Sequence, residues 1–157
     1  MTGAASAPAR TAARLAAVQA LYQMEAAGTG VEQIVREFEA CRLGRDGDHG
    51  QGHKADPVFF ADLVRGAVEA QSRLDPYLER KLAEGWRLAR LDATVRAILR
   101  AGLYEMVRRP DIPFRVVIDE YVEIAKAFFG DEGDEPAFVN GVLDAAARAA
   151  RDDEMTA

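Results

Sequence analysis

Apolar residues recur at helical spacing almost from end to end of this chain, and nowhere do they alternate as a half-buried strand requires. Leu15, Val18, Leu21 and Tyr22 form one stripe; Val31, Ile34, Val35 and Phe38 form a second, which Cys41 continues. Phe59, Phe60, Leu63, Val64, Ala67 and Val68 make a third. Further stripes run through Val95, Ile98, Leu99, Leu103 and Met106, and through Val117, Tyr121, Ile124, Ala125 and Phe128. The breaks between them carry start and stop chemistry. Gly28, Gly85 and Gly130 stand where helices end; Asp56-Pro57, Asp75-Pro76 and Asp92 stand where they begin. Thr29 and Glu32 have capping-box spacing, and Pro110 with the turn at Asp111–Pro113 divides two more helices. Trp86 and Leu88 are expected to anchor the connection after Gly85. The expectation is an all-α fold of about seven helices, with separate helices starting at Asp56-Pro57 and Asp75-Pro76.

One stretch argues against this locally. In "PAFVNGVLDAA", Pro136 to Ala146, an Asn-Gly pair sits between apolar patches, which is a strong hairpin signal. Periodicity decides the conflict: Phe138, Val139, Val142, Leu143 and Ala146 share one helical face. Pro136 suits a first turn, with Asp134 or Glu135 as capping carboxylate. An interior Gly costs about 1 kcal/mol relative to Ala, so Gly141 is expected to admit a close helix neighbour and Asn140 to bond a nearby loop.

The 157 residues suit one domain or two small packed halves. The division expected is a flexible tail over 1–9, a helical domain over 10–150 and a C-terminal tail over 151–157. Within the domain, two subdomains cover approximately 10–72 and 73–150. "GRDGDHGQGHKAD" makes 44–56 a flexible loop, and its glycines hold neither His49 nor His53 rigidly enough for a metal. Cys41 is the sole cysteine, so no internal disulfide exists, and on its apolar stripe it reads as a small buried hydrophobe. No leader-like apolar segment opens the chain and no run approaches the ~20 residues of a membrane span, so a cytoplasmic, membrane-free protein is expected.

The net charge of −6 is unevenly placed. Between Arg80 and Arg109 eight Lys/Arg face three acids, whereas Asp119 to Glu135 holds seven acids and only Lys126. No glycine-rich phosphate loop, nucleophile elbow or CxxC occurs, and both histidines lie in the loop. With no group locked on a rigid element for chemistry, the expectation is a binding protein without cofactor or metal rather than an enzyme.

Four segments, "AVQALYQME" (Ala17 to Glu25), "AILRAGLYEM" (Ala97 to Met106), "IPFRVVIDEYVEIAKAFFG" (Ile112 to Gly130) and "FVNGVLDAAAR" (Phe138 to Arg148), resemble the NusB family of bacterial transcription antitermination factors. With "WRLARLDATVR" the resemblance covers nearly the whole chain outside the loop and tails. It implies two packed helical subdomains, with the Asn-Gly pair a family feature of the C-terminal helix. It also implies pairing with NusE, a small-subunit ribosomal protein. The pair would bind the boxA element of nascent RNA and join an RNA polymerase antitermination complex, chiefly on ribosomal RNA operons.

Site residues follow from the same resemblance. The family's arginine-rich segment corresponds to "ARTAARLAA", where Arg10 and Arg14 match and Thr11, Ala12 and Ala13 stand at often more basic positions. Two arginines one turn apart at a helix N-terminus can hold RNA phosphates, with Thr11 beside them. Tyr22 matches a tyrosine facing NusE, and Phe138 an aromatic near the RNA path; core packing is the rival reading of both. "FVNGVL" also resembles the helical domain of ribosomal-RNA cytosine methyltransferases, enzymes with catalytic cysteines in a further domain. A protein-only scaffold or homodimer that has lost RNA binding is the remaining alternative.

Overall fold

Ser6 starts the first helix by accepting a hydrogen bond from the Ala9 N–H at 3.2 Å, with Pro8 in the first turn. The computed structural model describes residues 6–43 and 54–156, with side chains as far as Ala150. Among these, α-helices run over Ala7–Ala27 (α1), Val31–Cys41 (α2), Pro57–Lys81 (α3), Ala93–Arg108 (α4), Phe114–Phe129 (α5) and Asp134–Thr156 (α6). A short 3-10 turn covers Leu88–Arg90, and no strand occurs among the described residues. The fold is all-α. Helix α1 begins inside the stretch expected as tail because Ser6 caps it, and α6 extends past residue 151.

The chain divides into two compact units, Met1–Val68 and Glu69–Ala157. In the first, α1 buries Ala13, Ala16, Ala17, Val18 and Ala20, small side chains that let a neighbouring helix approach closely. Helix α2 contributes Ile34, Val35 and Phe38, and Phe38 stacks on Phe60 with ring centroids 5.5 Å apart. Each such large apolar side chain is worth about 1.5–3 kcal/mol when fully buried. The Thr29–Glu32 capping box does not form: Gly30 is the N-cap and makes no side-chain cap bond. Glu32 instead accepts from Arg65 of α3 at 2.7 and 2.9 Å, a bond that holds its carboxyl below the ordinary value. Cys41 also departs from expectation, standing exposed at the end of α2.

Loop 44–56 lies outside the described residues up to His53, and so do both histidines. Its described end is tied down. The Ala55 N–H donates to the Leu43 carbonyl at 3.2 Å, and the Asp56 N–H to the Ala9 carbonyl at 3.1 Å.

One expected helix boundary is absent. Pro76 does not start a new helix; α3 runs through it. Proline removes the bond to the Ser72 carbonyl, but Ser72 is exposed, so water can take that acceptor. On either side of it Leu74, Leu78 and Leu82 keep one buried face at four-residue spacing, and this offsets the break. Asp75 serves tertiary structure rather than a cap, accepting from Arg100 of α4 at 2.9 and 2.8 Å.

Helix α4 lies against α5 and α6, with every residue from Val95 to Leu99 and from Ala101 to Met106 buried. The close approach expected at Gly141 occurs at Gly102: a Cβ there would stand 3.0 Å from Leu143 Cδ1 and 3.4 Å from Tyr121 Cδ2. Deeper still, the Tyr121 hydroxyl donates to the buried Glu105 carboxylate at 2.9 Å. Gly141 and Asn140 are both exposed, and nothing lies within 4 Å of a Cβ at 141. Gly141→Ala should therefore raise stability by about 0.5–1 kcal/mol. Denaturant unfolding checks this; a loss would mean that a methyl at 141 is not accommodated in open space.

Candidate nucleic-acid interface

Arg10 opens α1 half-buried, and Thr11 beside it is exposed. The first-turn N–H groups and the absence of acidic residues from that turn leave the helix N-terminus electropositive. Arg14 is different. It is only 3% exposed, and its guanidinium lies 5.2 Å over the Phe59 ring of α3. The two arginines expected to hold phosphates thus face different surroundings: Arg10 stands toward the surface, whereas Arg14 binds α1 to α3 by packing and a cation–π contact. Periodicity could not reveal this, because Phe59 is far away in sequence.

Tyr22, three turns further along α1, has 44% of its surface exposed. That removes the core reading and leaves an aromatic ring presented outward with a hydroxyl at its tip.

Phe138 lies in the other unit, half-buried in the first turns of α6. Its ring contacts Trp86 with centroids 6.2 Å apart and planes tilted by 45°. Of the two residues expected to anchor the connection, Trp86 is 56% exposed and Leu88 is buried, so Leu88 alone is the anchor. The segment carrying Trp86 is nevertheless firmly held. Gly85 adopts a φ of +89°, the Trp86 N–H donates to the Ala83 carbonyl at 3.0 Å, and the Leu88 N–H donates to the Glu79 carboxylate. From α4 the buried Arg96 guanidinium donates to the carbonyls of Leu88, Ala89 and Leu91 at 3.2, 3.3 and 2.6 Å. A "GWR" step beside a basic run was the available sequence signal for this surface.

The class so defined is an all-helical, two-unit protein that presents basic and aromatic side chains outward. Among the described residues no cluster of three or more His, Cys, Asp or Glu could hold a metal, and no helix is long and apolar enough to cross a membrane. The NusB family profile matches residues 11–148. The transcription antitermination protein NusB of Caulobacter vibrioides is 58% identical over 143 residues, covering 91% of this chain and 95% of that protein. Its counterpart from Maricaulis maris is 55% identical, covering 93% and 90%. The chain belongs to the NusB family. Among solved structures, NusB of T. maritima superposes with a TM-score of 0.72 at 36% identity, covering 88% of this chain and 90% of that one. A chain from a complex of antitermination factors NusB and NusE with double-stranded RNA has a TM-score of 0.75 at 23% identity, covering 92% and 99%, and speaks for the fold alone.

Proposed function

We propose that this protein is a transcription antitermination factor that pairs with the ribosomal protein NusE and binds the boxA element of nascent RNA. The pair then joins the RNA polymerase antitermination complex, chiefly on ribosomal RNA operons, in the cytoplasm and without catalytic chemistry or cofactor. The observation that carries this is the 58% identity to the C. vibrioides antitermination protein over 95% of its length. At the residue level, Arg10 and Thr11 hold phosphate at the α1 N-terminus, Phe138 meets the RNA, and exposed Tyr22 meets NusE. Arg14 supports this surface from within, by fixing α1.

The test is titration of boxA RNA with the complex of this chain and NusE, across a salt series. Wild type should bind, and Arg10→Ala should flatten the slope of log affinity against log salt by about 0.7, one phosphate contact to single-stranded RNA. The loss should be similar for unrelated RNA sequences, because phosphate contacts position without specifying. Absence of boxA binding even at low salt would overturn the proposal in favour of a protein-only scaffold. An unchanged slope would remove Arg10 alone from the interface.

A further inference from the structure

We infer that Trp86, Arg87 and Arg90 form a second RNA contact, a platform on which one unpaired base stacks while its flanking phosphates meet the two guanidinium groups. Trp86 is the chain's only tryptophan, and more than half of its surface faces solvent. Burying a large aromatic normally stabilises a fold, so an exposed one fixed in place points to an occupant from outside. Arg87 and Arg90 follow it in the chain, both exposed, and neither enters an ion pair among the described residues. Two exposed arginines within four residues of an exposed indole, on a chain of net charge −6, match the chemistry of single-stranded nucleic acid: backbone charge plus a base's π-face.

Rigidity completes the case. Arg96 and Glu79 clamp the backbone of Leu88–Leu91, and Phe138 packs against the indole with its ring tilted by 45°, so little ordering cost remains when a base arrives. A duplex offers no unpaired π-face, so the platform discriminates for single strands.

This inference rests on the RNA-binding reading above, and Trp86 reports on it directly. The complex with NusE is titrated with a 12-nucleotide boxA RNA, single-stranded and as a duplex, while tryptophan emission is followed. In parallel, labelled RNA measures the affinities of Trp86→Ala, Trp86→Phe and the double variant Arg87→Ala/Arg90→Ala. The single strand should change Trp86 emission saturably at the same midpoint as binding. Trp86→Ala should weaken binding about tenfold, the scale of one stacked base, and Trp86→Phe should restore most of it. The arginine double variant should flatten the salt slope by up to about 1.4.

RNA binding with unchanged emission and an unaffected Trp86→Ala variant would overturn the platform and leave the RNA-binding reading intact. Loss of NusE affinity in Trp86→Ala, with RNA affinity per complex unchanged, would overturn it in favour of a protein-docking surface. No RNA binding by the wild-type complex would overturn both.

Discussion

Arg14→Ala should lower stability by about 2–4 kcal/mol, a loss that a surface arginine would not produce. The side chain is 3% exposed and its guanidinium covers the Phe59 ring. Truncation removes the long packed stem as well as a desolvated cation–π contact worth up to about 2 kcal/mol, and leaves a cavity between α1 and α3. For a chain of this size the thermal midpoint should fall by roughly 5–15 °C. Arg10→Ala, at a half-buried position, should stay within about 0.5 kcal/mol of wild type. Arg14→Lys keeps the charge but loses the planar group that lies on the ring, so it should recover only part of the difference. Thermal unfolding of the three variants measures this. An unchanged midpoint for Arg14→Ala together with weakened RNA binding would show that Arg14 leaves the interior to hold phosphate.

Gly102→Val should cost a comparable 2–4 kcal/mol or so, from overpacking rather than from a cavity. Even a Cβ at this position would stand 3.0 Å from Leu143 Cδ1, and the two further methyls of valine need space that Leu143 and Tyr121 occupy. Leu143 is fully buried, and Tyr121 is held by its bond to Glu105, so neither can swing into solvent. The strain falls where α4 meets both α5 and α6. A second change, Leu143→Ala, should return part of the stability in the double variant, because the added methyls then fill the vacated volume. Denaturant unfolding of the two single variants and the double variant gives the coupling. Simple additivity would mean that α6 moves aside rather than clashing.

The two glycines show how far local reading reaches. Gly141 interrupts an apolar pattern, yet its missing side chain faces open space. Gly102 lies inside an unremarkable helical stripe, and it is the position where a neighbouring helix comes close. Pro76 is a parallel case: a helix-starting dipeptide in sequence, a tolerated interior proline in the fold, because Leu74, Leu78 and Leu82 keep burying one face across it.

By itself the sequence determined what depends on residues within about one helical turn. The 3.6-residue stripes made the fold all-α and kept the Asn-Gly pair inside a helix. Gly28, Asp92 and Gly130 cap helices as expected, because a cap is a bond to the adjacent turn. Family membership was legible too, since it rests on the order of whole segments. The tertiary structure decided which face of each helix is covered, and by what. Phe59 draws Arg14 inward from 45 positions away, Arg65 takes Glu32 from the expected capping box, and Arg96 and Glu79 hold the segment that leaves Trp86 in solvent. These are contacts between helices. A stripe announces that a face will be buried, but the side chain it meets is fixed only when distant segments pack.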